Sequence, residues 1–585
     1  MPSPAVSSLL PSTDASPTAE RIEDLLANWE ETGRDRHIVT HHRLPPTTAH
    51  LAAFPSWIDP HLRNALEDQG VTRLYSHQRA ALDATQAGED VVIATPTASG
   101  KSLCYNLPVF QALIDDPHAR AIYLFPTKAL ARDQVAAARA LAQRLDLIAA
   151  DTRSPSSKAT AARLGVAVYD GDTPQDQRRV ARRHARILAT NPDMLHAGIL
   201  PHHPAWRDLF SGLRYIVVDE LHTYRGVFGS HVANVLRRLL RIATFHGAQP
   251  RFIATSATIG NPEELAAELF GRPARAIRQS GAPTGLRHFI VYNPPIIDPA
   301  LGLRESYLDA TATLTRDLVE HGLSTLVFCR SRLAVEVLVR SLRDTLHVAP
   351  AGDVLTPGTD AQNLFRVRGY RGGYLPDRRR DVEAALREGQ PNVVVATSAL
   401  ELGIDIGALD AIVLAGWPGS RAAAWQRSGR AGRRQTPSIT AMVASSEPVD
   451  QFVAQEPEYL FGQGAEVARV DPNNTSILVP HLECAAFELP FTEGDRYGPL
   501  DARDTEAVLS VLADAEVLHR SAQAFHYIGG HYPAGAIPLR GPNDENFLVV
   551  RQDAKVIAEV AYRDVPETLH PHAIYQLEGA QYAVE

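Results

Sequence analysis

Lysine is nearly missing. Of the 58 Lys and Arg residues only Lys101, Lys128, Lys158 and Lys555 are lysines. Where arginine is so strongly favoured, a surviving lysine marks a position better served by a compact ammonium than by a planar guanidinium. Two of the four fall inside the motifs below. Cysteine is equally scarce. Cys104, Cys329 and Cys484 lie far apart, which excludes a disulfide framework and a four-ligand zinc cluster and favours a reducing compartment. His481 and Cys484 have a ligand spacing, but two ligands are too few for zinc. No run approaches the roughly 18 apolar residues of a membrane span. Residues 1–19 are rich in Pro, Ser, Thr and Ala without an apolar centre, so the sequence predicts a cytoplasmic protein with no membrane partner. Positive charge is not in excess either. The net charge is −9, so any basic surface for a polyanion has to be local.

What is present is ordinary globular material: 585 residues, 45% hydrophobic and 21% charged, enough to bury several cores. Residues 1–55 read as an N-terminal extension, irregular and then helical, with Ile22, Leu25, Leu26 and Trp29 on one face. Residues 56–275 and 301–470 read as tandem α/β domains with parallel sheets flanked by helices, joined by a loop-rich linker at 276–300. Strands are predicted at 90–95, 121–125, 186–190, 215–218 and 251–255, and again at 324–329, 392–397 and 411–415. Loops or insertions are predicted at 149–160 and 349–363. Residues 471–585 read as a small α+β accessory region with the character of a winged helix. Its helices are predicted at 481–489 and 505–518 and its strands at 546–550 and 555–560, and the chain is expected to stop inside a domain.

Thr95-Pro96-Thr97-Ala98-Ser99-Gly100-Lys101-Ser102 follows a predicted strand and opens a helix at 103–113. Such a loop offers backbone N–H groups and a positive helix end to phosphates, with Lys101 at the β/γ-phosphates of ATP and Ser102 on Mg²⁺. Thr95 stands where the general pattern has glycine, and an incidental Gly-Lys-Ser turn is the bland alternative. The apolar run Tyr215-Ile216-Val217-Val218 ends in Asp219 and Glu220. Asp219 can hold Mg²⁺ through water while Glu220 deprotonates an attacking water, against the alternative of a solvated acidic strand end. Downstream, Gln426-Arg427-Ser428-Gly429-Arg430-Ala431-Gly432-Arg433 would, on a helix, place Gln426, Arg430 and Arg433 on one face toward a γ-phosphate, with Arg427 off it. The bland alternative there is a solvated basic helix.

In this order, these motifs resemble the superfamily 2 DExH-box helicases over most of the chain. The resemblance implies two RecA-like domains, ATP and Mg²⁺, and nucleotide contacts from Gln78, which would read adenine, and from Thr97, Ala98, Ser99, Gly100, Gly403 and the ribose-binding Asp405. It makes Arg430 and Arg433 arginine fingers and Gln426 a phosphate or water contact. It puts Thr127, Lys128, Gly171 and Thr190 of the first domain, with Arg330, Arg371 and Thr397 of the second, on the nucleic-acid backbone, and makes Ser256-Ala257-Thr258 the link between ATP state and domain closure. Each first-domain group taken alone is also ordinary turn or cap chemistry.

Residues 219–231, the run Tyr370-Arg371-Gly372-Gly373-Tyr374-Leu375-Pro376 with Arg378 to Arg380, and His570-Pro571-His572-Ala573-Ile574-Tyr575 resemble the bacterial mitomycin-repair helicases and the fungal RecQ4-like helicases. This implies 3′ to 5′ movement on single-stranded DNA or tailed duplex, a role in DNA repair and repair proteins as partners. An RNA helicase and an ATP-regulated clamp without unwinding are the alternatives. That family carries a C-terminal zinc-binding cysteine cluster, for which this sequence lacks the cysteines. Finally, the loop 223–230 has two readings: it couples ATP to DNA, with an aromatic such as Tyr224 or Phe228 stacking on a base and Arg225 on a phosphate, or it packs the next helix.

Overall fold

The computed structural model describes residues 16–145, 165–346, 367–389, 392–401, 407, 409–432, 435–462, 464–541, 546–577 and 580–585. The insertions expected at 149–160 and 349–363 lie outside them.

Two seven-stranded sheets organise the chain. The first runs, edge to edge, Arg275–Ile277, Val91–Ala94, Arg251–Ser256, Leu213–Val218, Arg120–Leu124, Ala185–Thr190 and Gly165–Val168, with every pair parallel. Its central strands are continuous apolar runs such as Val91-Val92-Ile93, buried on both faces as a helix-covered parallel sheet requires. The five strands read from sequence are there, within two residues at their ends. The two edge strands, three and four residues long, were too short to read.

The second sheet runs Ile38–Leu44, Arg287–Tyr292, Ser438–Val443, Ala411–Ala415, Thr325–Cys329, Val393–Ala396 and Val367–Tyr370. Its edge corrects two of the expected boundaries. The strand Ile38–Leu44, read as part of an extension, pairs antiparallel with Arg287–Tyr292, itself read as linker, and that strand pairs parallel with Ser438–Val443. The helix Pro17–Glu31, capped by the Ser16 hydroxyl with Pro17 in its first turn, buries Ile22, Leu25 and Trp29 in the core of the second domain. Trp29 Nε1 donates to Asp317 Oδ2 at 3.0 Å. Both segments therefore belong to the second domain.

The accessory region also divides. Helices Thr475–Glu488 and Ala502–Asp514, with the antiparallel strands Phe491–Thr492, Ala524–Tyr527 and Leu518–Arg520, share a core containing Leu482, Phe491 and Leu509. The second helix stops at Asp514, and Leu518, predicted helical, begins a strand. This unit docks on the first domain: Arg238 pairs with Glu488 in a fully buried ion pair, and Arg241 donates to the carbonyls of Ala485 and Leu489 at 3.0 and 2.8 Å. The hairpins Asn546–Val550/Val556–Ala561 and Ile574–Leu577/Ala580–Ala583 lie instead on the second domain. There the Glu559 N–H donates to the Gly373 carbonyl at 3.0 Å.

Candidate active site

Ligands in parallel α/β sheets collect at the carboxyl ends of the strands. Here the neighbouring strands Val91–Ala94, Arg251–Ser256 and Leu213–Val218 deliver the Gly-Lys-Ser loop, Thr255 and the Asp219–Glu220 pair to one place. The loop needs left-handed backbone at Ala98 (φ 60°) and Gly100 (φ 78°), which turns its N–H groups inward. Thr95 does the work expected of a glycine differently. Its hydroxyl meets the Ser99 hydroxyl at 2.8 Å, and its carbonyl accepts from Lys101 Nζ at 2.9 Å. A second bond, to the Pro96 carbonyl at 3.0 Å, leaves the ammonium held only by neutral carbonyls. Burial depresses the Lys101 pKa, while Glu220 and Asp219 oppose that shift. Ser102 opens the helix Ser102–Asp115 beside it.

Gln78 sits behind the loop with both ends of its amide engaged. Oε1 accepts from the Tyr75 N–H and Nε2 donates to the Gly100 carbonyl, each at 2.9 Å. In this arrangement the expected adenine reader shapes the phosphate loop. Asp219 Oδ1 accepts from the Glu220 N–H at 3.0 Å and from the Thr255 hydroxyl, and burial beside Glu220 pushes its carboxyl well above the usual range. Glu220 adopts left-handed backbone (φ 51°), and its Oε2 is buried with no hydrogen-bond donor. His222 Nδ1 lies 3.5 Å from that oxygen but already accepts from the Ala257 N–H at 3.2 Å, so it carries no proton to offer Glu220. The histidine thus joins the acidic pair to the Ser256-Ala257-Thr258 segment.

Across the cleft, the helix Arg421–Ser428 ends before Arg430. The common helical face expected for Gln426 and Arg430 is therefore not formed: Gly429 caps the helix and Arg430 lies in the following turn. The turn still brings the second domain against the phosphate loop, so closely that a Cβ at Gly429 would collide with the Thr97 hydroxyl. Gln426 is buried with its Nε2 unpartnered. Arg430 donates to the Glu401 carbonyl, and Arg427 pairs with the Glu401 carboxylate at 2.8 Å. His222, Arg225, Glu401 and Gln426 line one cavity of about 290 Å³ between the domains. Gly403, Asp405 and Arg433 lie outside the described residues.

The residues expected on the nucleic-acid backbone divide. Thr127 caps the helix Lys128–Arg144, and Lys128 pairs with Asp172 at 2.7 Å beside Gly171, on an exposed shelf. Arg225 is exposed and Thr397 partly so. Thr190 is buried, its hydroxyl donating to the Tyr169 carbonyl at 2.7 Å. Arg371 is also buried, bound to Glu336 at 2.6 Å and to the Gln576 carbonyl at 2.9 Å, so it fastens the C-terminal hairpins. Arg330 is engaged by Glu447 and Asp450. Tyr224, expected to stack on a base, is fully buried in the first-domain core. Sequence reading gave no role to Thr255, Glu401 or Gly429, although the last two lie inside recognised motifs and Thr255 directly precedes one; position in or beside a motif was the available signal.

Among the described residues, no group of three or more His, Cys, Asp or Glu is placed to hold a metal, and no helix is long and apolar enough to cross a membrane. Residues 75–265 match the DEAD/DEAH box helicase family, 309–435 the helicase conserved C-terminal domain, and 470–542 the winged helix domain of the ATP-dependent helicase HRQ1. The chain is 44% identical over 570 residues to the uncharacterized ATP-dependent helicase YprA of Bacillus subtilis, spanning 97% of this chain and 71% of that protein. It is 35% identical over 580 residues to the ATP-dependent helicase HRQ1 of Saccharomyces cerevisiae, spanning 97% of this chain and about half (51%) of that protein. The crystal structure of the DUF1998 helicase MrfA bound to DNA and AMPPNP superposes with a TM-score of 0.86 at 43% identity, covering 97% of this chain and 74% of that one. A phosphate loop, an acidic pair and an opposing Gln-Arg turn closing one cleft, in a chain this similar, identify a member of the ATP-hydrolysing superfamily 2 helicases, in the group that contains YprA, Hrq1 and MrfA.

Proposed function

We propose that this chain is a DNA helicase or translocase that moves 3′ to 5′ on single-stranded DNA and serves DNA repair. The observation that carries the reading is the contact of Gly429 with Thr97, which sets Gln426 and Arg430 of one domain beside the phosphate loop of the other. A nucleotide between these walls would be felt by both.

In this reading Lys101 leaves the Thr95 and Pro96 carbonyls for the β/γ-phosphates of ATP. Glu220, with an oxygen free of donors, takes the proton of the attacking water. Gln426 supplies its unpartnered amide, and Arg430 turns from the Glu401 carbonyl to the γ-phosphate, where charge develops. Ser102 and Asp219 fit a Mg²⁺ ion carried with the nucleotide, which would neutralise phosphate charge. Thr127, Lys128, Gly171, Arg225 and Thr397 hold the strand by its phosphates, without reading sequence. Movement requires that the two domain states bind the strand with different affinity. The DNA seen with the MrfA structure supports DNA over RNA as the track.

Strand displacement on duplexes with a 3′ or a 5′ single-stranded tail tests the proposal, with Lys101→Ala as the control. Unwinding of the 3′-tailed duplex alone, dependent on ATP and Lys101, is expected. Unwinding of the 5′-tailed duplex, or ATP turnover stimulated by RNA and not by DNA, would overturn it.

A further inference from the structure

Beyond the Arg238 and Arg241 contacts, the winged-helix unit meets the first domain through a short segment with an uneven character. Ala534 and Leu539 are buried, Leu539 in the first-domain core cluster, whereas Arg540 beside them reaches along the surface. Its Nε donates to Asp193 Oδ2 and its Nη2 to the Pro126 carbonyl, both at 3.0 Å, and its guanidinium lies 4.3 Å from the centre of the Phe228 ring. These three partners come from three different places. Pro126 directly precedes Thr127 and Lys128. Asp193 lies three residues past Thr190, at the end of the strand Ala185–Thr190. Phe228 stands in the first turn of the helix Gly226–Phe245, which follows the loop leaving Glu220, four residues beyond the buried Tyr224.

An ion pair this exposed, with side chains 42% and 39% accessible, contributes little to folding by itself. The geometry is more specific than the energy. A planar fork satisfies two acceptors at once while its face rests on an aromatic ring, a combination open to arginine and closed to lysine. Arg540 thus joins Pro126, next to the Thr127-Lys128 segment, to the first turn of the helix after Glu220.

We propose that Arg540 is a positioning residue, the point at which the winged-helix unit fixes the spacing between the strand-holding segments and the helix that follows the catalytic carboxylate. Occupation of the Thr127-Lys128 shelf then reaches Glu220 through Pro126, Arg540 and Phe228. The inference rests on the first-domain shelf binding a nucleic-acid strand, as proposed above.

The test is the ATPase of the full chain, titrated with single-stranded DNA, for wild type, Arg540→Ala, Arg540→Lys and Phe228→Ala. Wild type stimulated by DNA is the precondition; its failure would remove the shelf proposal rather than this one. With it met, Arg540→Ala is expected to keep turnover without DNA within about twofold and its melting temperature. The DNA-stimulated increment should fall roughly tenfold, with Arg540→Lys recovering part of it. Arg540→Ala and Phe228→Ala together should cost no more than either alone. DNA stimulation unchanged in Arg540→Ala, or an equal loss of turnover with and without DNA, would overturn the inference.

Discussion

The two walls of the cleft differ in how their polar groups are satisfied. On the first domain, Lys101 holds two carbonyls, Asp219 the Thr255 hydroxyl and an N–H, and Gln78 both ends of its amide, with Glu220 Oε2 left without a donor. On the second, Gln426 is buried without a partner for its Nε2, and Arg430 rests on the backbone of its own domain. In the proposed cycle the first wall is largely bonded beforehand, with Lys101 exchanging its two carbonyls for phosphate, and the second is completed by the nucleotide. In that cycle the groups that change partners, Lys101 on one wall and Arg430 on the other, are the ones that would convert nucleotide state into domain movement.

The strongest way to break this comparison is to remove the hand that waits. Arg430→Ala is expected to lower kcat by about 10³-fold or more while leaving nucleotide affinity nearly unchanged, measured by steady-state turnover beside equilibrium binding of a fluorescent nucleotide. Equal losses in affinity and turnover would mean that Arg430 belongs to the prebuilt wall. Lys101→Ala should act on that wall. A loss of roughly 10²-fold in turnover accompanied by weakened binding is expected from the same pair of assays. Thr255→Val, which takes away a donor to Asp219 and touches no phosphate, should reduce turnover about tenfold, comparable with leaving a buried acceptor short of one bond.

The smallest effect concerns stability. Asp219 has its pKa raised from 3.8 to about 7 by burial and by Glu220, so the folded chain holds a proton that the unfolded chain releases. Wild type therefore loses stability from this group as pH rises through that window. Asp219→Asn does not titrate, and its melting temperature relative to wild type should rise by about 2–4 °C between pH 4 and pH 8. A constant difference across that range would show that the carboxyl is not strained by burial.

The prebuilt wall was also the legible one. Gly100-Lys101-Ser102 and Asp219-Glu220 are contiguous runs at the ends of apolar strands, so local pattern carried both identity and placement. The waiting wall was legible in composition and misread in shape. Gln426 and Arg430 were named, but the helix ends at Gly429, a position where contact with Thr97 of the other domain leaves no room for a side chain. Thr190, Arg371 and Tyr224 were drawn toward nucleic acid by their chemistry and turned inward by partners such as Glu336 and the Tyr169 carbonyl. Those partners lie on separate elements, and one sequence does not reveal which elements meet. The edge strand Ile38–Leu44 escaped for the same reason, because its partner lies far along the chain.

That edge strand bears on how the molecule is made. His41 and His288 face each other across 247 residues of sequence, and Trp29 reaches Asp317 across 288. A long closure costs only slightly more free energy than a short one, so the arrangement is no burden once formed. During synthesis it imposes an order. The helix and strand at 16–44 leave the ribosome without their sheet, the whole first domain follows and has its own strands at hand, and only then do Arg287–Tyr292 and Ser438–Val443 arrive to receive the earlier piece. The half of the cleft that the proposed cycle leaves for nucleotide to complete is thus also the half that waits, as a nascent chain, for its own remaining parts.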